Sequence, residues 1–133
     1  MVTGSSGYVA NYLILSLAKK YPQATVVGMS RSGKPRNQSA VSGLKNVEYL
    51  AGNCLEPETF KDALKDVDAC IHTVGTLIEN KKNPQLTYQA MNADTAINMA
   101  RELNATATEA KKNFVMISSA KAPPFLPEYI TTK

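Results

Sequence analysis

Three clusters of residues have types and spacings that can do chemistry. The first is Thr3-Gly4-Ser5-Ser6-Gly7-Tyr8-Val9-Ala10, which follows a short apolar run and opens a helical pattern. Gly4 allows a sharp turn. Gly7 lets backbone approach a pyrophosphate at a helix N-terminus, and Ala10 is small enough for close packing of the helix on a sheet. The spacing is Gly-x-x-Gly-x-x-Ala rather than the Gly-x-Gly-x-x-Gly of other dinucleotide folds, and a plain glycine turn before a helix also produces it. The second cluster is Ser30-Arg31-Ser32, at the end of the next apolar run. A carboxylate here would suit the ribose 2′-hydroxyl of NAD. A guanidinium flanked by hydroxyls suits the 2′-phosphate of NADP, and an exposed loop arginine is the plain alternative. The third is Tyr129 with Lys133, four residues apart on one helix face. A nearby ammonium favours the phenolate, so the tyrosine can exchange a proton with a carbonyl or alcohol. Ser118 or Ser119, 11 or 10 residues upstream, could hydrogen-bond the same substrate oxygen. Asn92 could support a proton relay or serve as a polar group early in a helix.

Other polar or small residues fall at the ends of apolar runs. Asn53-Cys54 follows one run and could meet an adenine edge. Thr73-Val74-Gly75 follows another, where Gly75 permits close approach of a ligand. His72, the single histidine, lies inside a run and reads as a packed core residue. Five apolar runs therefore end in small or polar residues, and such ends line the ligand crevice of open parallel sheets. No metal site is expected, because Cys54 and Cys70 have no ligand partners at useful spacing.

The elements that must position these residues alternate regularly. Met1 to Thr3, Val26 to Met29, Val47 to Leu50, Val67 to Thr73 and Phe114 to Ile117 are strand-like runs, short and apolar as suits strands buried on both faces. Gly7 to Lys20 reads as a helix with Val9, Tyr12, Leu13, Ser16 and Leu17 on one face. Pro57 to Lys65 reads as a helix with proline at its start. Gln85 to about Leu103 reads as a long helix with Leu86, Ala90, Ala93, Ile97 and Ala100 along its stripe. Arg31 to Lys45 is rich in Ser, Gly and Asn and reads as a loop holding at most a short helix. The expectation is an α/β, Rossmann-like, doubly wound parallel sheet of about five strands in the order 3-2-1-4-5.

The length of 133 residues suits a single domain over 1–133. Hydrophobic residues make up 44% and charged residues 20%, an ordinary globular composition that argues against disorder. The net charge is +4, but the lysine pairs 19–20, 81–82 and 111–112 are scattered and no aromatic stripe accompanies them. No nucleic-acid surface is expected. No apolar run is long enough to span a bilayer. Two cysteines make no disulfide framework, so the chain reads as a reduced, intracellular domain. The first strand is short and the chain ends where a helix is starting, so both ends read as cut and the C-terminal part as missing.

The motifs TGSSGYVA, VVGMSRSGK, DACIHTVGTLIEN, MNADTAIN, FVMISSAKAPPFLP and YITTK resemble, in order and over nearly the whole chain, an atypical branch of the short-chain dehydrogenase/reductases. The combination is most similar to mitochondrial members related to an accessory subunit of respiratory complex I, and among them to the fungal branch associated with coenzyme Q biosynthesis. The resemblance implies a matrix-side protein, with the cytoplasm as second choice. It implies NADP(H) as ligand, and partners among ubiquinone-biosynthesis or complex I proteins. It assigns Gly4, Gly7 and Ala10 to the pyrophosphate loop, Arg31 to the 2′-phosphate, and Ser118 or Ser119, Tyr129 and Lys133 to a catalytic trio. Asn53 stands where the family often has Asp. The alternatives are an active NADP-dependent oxidoreductase or epimerase in a longer form, and a non-catalytic paralogue that binds only proteins. Lys133 is the final residue, and a terminal helical turn frays. The chain alone is therefore expected to be inactive or nearly so.

Overall fold

Five parallel strands form one sheet in the order β3-β2-β1-β4-β5. The computed structural model describes residues 1–107 and 111–119. The strands are β1 (Val2–Thr3), β2 (Val26–Ser30), β3 (Val47–Ala51), β4 (Ala69–His72) and β5 (Asn113–Met116). The expected architecture and strand order are both present. The central strand is only two residues long, yet it pairs on both sides: Val2 and Thr3 face Gly28 and Met29 of β2, and Ile71 and His72 of β4.

Helix α1 (Tyr8–Lys20) joins β1 to β2. Its buried residues are Ala10, Asn11, Ile14 and Ala18, which pack with Val2 and Val26 in a core on one face of the sheet. The expected stripe is rotated. Val9 and Tyr12 are exposed, while Leu13 and Leu17 are half-buried against that core. Ala10 and Ala18 let the helix lie close to the sheet after its tight glycine turn, and Ile14 packs over Gly28, which has no side chain. Gly28 shows how close: a Cβ there would stand 2.8 Å from the Tyr49 ring and 3.0 Å from Ile14 and Ser5.

The opposite face carries the larger core, in which Met29, Phe60, Leu64, Cys70, Met99 and Leu103 are buried. The expected helix over Pro57 to Lys65 is instead two 3-10 turns, Pro57–Thr59 and Lys61–Leu64. They aim Phe60 and Leu64 inward, and Phe60 is the junction that closes the first turn and opens the second. The expected long helix is also broken. A 3-10 turn, Pro84–Leu86, precedes a π turn, Gln89–Asp94, which runs into α3 (Thr95–Ala105). The wider π turn shifts the helix phase. Asn92, Thr95, Ala96, Met99 and Leu103 are buried, and Ile97, expected inside, is half exposed. The Ser-rich segment after β2 holds only the short helix α2 (Gln38–Val41), capped by the Asn37 side chain on Ser39 and Ala40 N–H.

Strand β5 is not buried on both faces as expected. Its burial alternates, and Val115 is 52% exposed. Strand β3 alternates less regularly, as an edge strand does.

Candidate functional site

A cleft of about 190 Å³ opens at the C-terminal ends of the strands, where β1 and β4 diverge to opposite sides of the sheet. This is the place where open parallel sheets bind ligands. Gly4, Ser6 and Gly7 line one side, and Ser30 and Arg31 one end. Asn53 and Cys54 lie after β3, and Thr73, Val74 and Gly75 after β4.

The glycine loop is built tightly. Gly4 has φ +76°, and a Cβ there would approach Thr73 Oγ1 to 2.9 Å. Gly7 N–H donates to Gly4 O at 2.7 Å, and Ser5 N–H to Met29 O at 3.0 Å. Thr73 Oγ1 donates to Thr3 O at 2.7 Å, so the loops after β1 and β4 are stitched together beneath the cleft. The first turn of α1 contains no acidic residue. Its leading N–H groups have no intrahelical acceptor and carry the positive end of the helix dipole. An anion fits there.

Several expected residues take other places. Thr3 and Ser5 are buried below the loop and do not line the cleft. Tyr8 and Val9 are more than half exposed, with the Tyr8 ring edge-on to Tyr12 at 4.9 Å between centroids. Neither lines the cleft. Ser32 is exposed and lies 3.3 Å from Ser30 Oγ, oxygen to oxygen.

Asn53 lines the cleft, but its side chain is committed to its own loop. Its Nδ2 donates to Glu56 Oε1 at 2.9 Å and its Oδ1 accepts from Leu55 N–H at 3.2 Å. Burial pushes the Cys54 thiol up to about 12, with the neighbouring Cys70 adding to the shift. Cys54 is therefore a neutral wall of the cleft and not a nucleophile. His72 is a packed core residue as expected, fully buried under the cleft.

Asn92 is buried in the π turn, where its Oδ1 accepts from Thr76 N–H at 2.9 Å and anchors the loop after β4. Ser118 is exposed and Ser119 half-buried beyond β5. Tyr129 and Lys133 lie outside the described residues. Sequence reasoning missed Met29, Gly52, Leu55, Gln85, Met91 and Thr95, which also line the cleft. Met91 and Thr95 arrive there through the π turn, which has no sequence signal. Arg36 was also missed. Its Nη1 donates to Ser6 O at 3.3 Å, and the run of cations at 31, 34 and 36 could have drawn attention to it.

Among the described residues no group of His, Cys, Asp or Glu could hold a metal ion, and no helix is long and apolar enough to cross a membrane.

Residues 1–131 match the model of the NAD dependent epimerase/dehydratase family. MIOREX complex component 2 of Saccharomyces cerevisiae is 23% identical, over 100% of this chain and 63% of its own length. A short-chain dehydrogenase/reductase of Burkholderia vietnamiensis has a similar structure, with TM-score 0.73 and 18% identity over 99% of this chain and 69% of that one. A yeast methylglyoxal/isovaleraldehyde reductase complexed with NADPH gives TM-score 0.66 and 15% identity over 89% of this chain and 36% of that one. The chain thus spans less than two thirds of the yeast relative and about a third of the reductase. These structural likenesses show a shared fold.

Proposed function

The chain belongs to the NAD dependent epimerase/dehydratase family, and from that premise we propose that it binds a nicotinamide dinucleotide, NADP(H) in preference to NAD(H). This family assignment agrees with the resemblance to short-chain dehydrogenase/reductases carried by the motifs.

One observation carries the ligand reading. The left-handed turn at Gly4 presents the start of α1 to the same cleft that Arg31 lines at the end of β2. The pyrophosphate would lie on the α1 N-terminus and the 2′-phosphate against Arg31. Gly4 lets the loop pack against Thr73 and Val74, where a Cβ would come within 2.9 Å of Thr73 Oγ1, and Gly7 lines the cleft at the helix start, which would leave the backbone there open to the pyrophosphate. Thr73, Val74 and Gly75 would flank the nicotinamide half. When bound, the nicotinamide supplies two-electron redox chemistry.

The finer role we assign is an accessory one in mitochondrial ubiquinone biosynthesis or respiratory complex I. It is supported by the motif resemblance, and the yeast relative is itself named as a component of a complex. The second reading is an NADP-dependent oxidoreductase or epimerase that uses Ser118 or Ser119, Tyr129 and Lys133. The spacing of these residues after the fifth strand favours it. The domain is proposed to occupy the whole of 1–133.

Calorimetric titration with NADPH and NADH, on the wild type and Arg31→Ala, tests the ligand reading. A charged hydrogen bond to phosphate contributes about 1.5–3 kcal/mol. Arg31→Ala should therefore weaken NADPH roughly tenfold to hundredfold and leave NADH nearly unchanged. Equal loss for both nucleotides would remove the NADP preference. No binding of either by a folded wild-type chain would remove the dinucleotide reading.

A further inference from the structure

Under the cleft lies a buried imidazole with both ring nitrogens engaged. His72 lies directly across from Thr3 in the β1–β4 pairing, and its Nδ1 is 2.8 Å from Thr3 Oγ1. Its Nε2 is 3.2 Å from Thr95 Oγ1, on α3. The Phe114 ring packs beside it, tilted, at 6.0 Å between centroids. Thr95 lines the cleft, and so does Met91 in the π turn. The Thr95 hydroxyl donates at 2.8 Å to the Met91 carbonyl.

The Met91 carbonyl can only accept, and this points to a direction for each proton. A hydroxyl has a single hydrogen. With that of Thr95 given to Met91 O, Thr95 Oγ1 can only accept from His72, so Nε2 carries the ring proton. Nδ1 of the neutral ring is then an acceptor, and Thr3 Oγ1 donates to it. The chain runs from β1 through β4 to the first residue of α3 and ends on a carbonyl of the π turn. A second ring proton would bury a cation within the core, which is costly. A π turn is a wide, rarely populated conformation that is frequent at functional sites, and this chain of bonds links it to the central strand.

We infer that His72 is a positioning residue for the cleft: as the neutral, Nε2-protonated tautomer it anchors Thr95 and the Met91 turn, which form the cleft wall, to the sheet. Its effect on ligand binding rests on the dinucleotide reading above. The tautomer does not.

His72 is the single histidine of the chain, so its ring signals in nitrogen-15-labelled protein need no assignment. At neutral pH they should show a protonated Nε2 and an unprotonated Nδ1. An Nδ1–H tautomer or an imidazolium in the wild type overturns the inference, and this measurement needs no variant to fold.

Two substitutions then separate the arms. His72→Gln places an amide N–H near the Nε2 position and keeps the bond to Thr95. His72→Asn places an amide oxygen near the Nδ1 position and keeps only the bond to Thr3. Both should lower stability similarly. The NADPH Kd should stay within about threefold of wild type for His72→Gln and rise about tenfold for His72→Asn, the size of one hydrogen bond. Equal affinities for the two variants overturn the positioning role. A wild type with the expected tautomer that binds neither NADPH nor NADH overturns the dinucleotide reading and, with it, the effect on binding.

Discussion

Cys54 and Cys70 are both buried on the same face of the sheet, and their burial has a consequence that can be measured. It pushes the Cys54 thiol up to about 12 and the Cys70 thiol up to about 11. An unfolded thiol titrates near about 8.5. Between these values the folded chain keeps protons that the unfolded chain has lost. The resulting stability is fully present below about pH 8.5 and is lost as pH rises toward the folded values. Urea unfolding at pH 7.5 and 9.5 should show a loss of about 1–3 kcal/mol, and the double variant Cys54→Ala/Cys70→Ala should flatten that slope. Neither thiol should react with a maleimide at pH 7.5 until the chain is unfolded.

At this scale the sequence was informative where backbone shape was at stake and less so where side chains compete. Gly4 had to be glycine for a turn at φ +76°, and its neighbours announced it. Nothing around Asn53 announced that Glu56 and Leu55 would claim both ends of its amide.

Helix α1 ends at Lys20, and the next turn is held by a residue from a different element. Asn46, just before β3, directs its Nδ2 at the carbonyls of Ala18, Tyr21 and Ala24, at 3.1, 3.3 and 3.0 Å. Helix C-termini leave carbonyls without partners; the two amide hydrogens of Asn46 are shared among these three oxygens, while Val26 N–H donates to Asn46 O at 2.8 Å. Asn46→Ala should therefore cost about 1–2 kcal/mol in urea unfolding and leave nucleotide affinity unchanged, since the site is at the other end of the sheet. Affinity lost in parallel with stability would show that the two ends of α1 are coupled. The existence of α1 and of the five strands was legible from hydrophobic spacing. The face that α1 buries was not. A periodic stripe marks apolar residues alike, whereas close contact with the sheet selects the small Ala10 and Ala18, and Ile14 where it meets Gly28.

The site belongs to no single element. It forms because β1 sends its chain to one side of the sheet and β4 to the other, leaving a crevice between their following loops. Any ligand that binds only this assembled crevice must stabilise the whole fold. NADPH at 100 times its Kd should add about 2.7 kcal/mol, which amounts to a rise in Tm of about 10 °C for a chain of this size. Thermal unfolding with and without nucleotide checks it, and an unchanged Tm at a saturation confirmed by calorimetry would contradict binding confined to the native fold.

The sequence by itself determined the alternation of elements, the strand order and the glycine turn at the head of α1. Each of these is written in local spacing: apolar runs, helical stripes, and a glycine where only glycine is relaxed. The tertiary structure alone decided the π turn, the paired 3-10 turns and the tautomer of His72. The π turn moves Met91 and Thr95 to the cleft and turns Ile97 outward. The His72 proton is set by Thr3, 69 residues away, and Thr95, 23 residues away. Such outcomes depend on which groups from distant segments compete for the same space and the same hydrogen bonds, and local spacing carries no record of that competition.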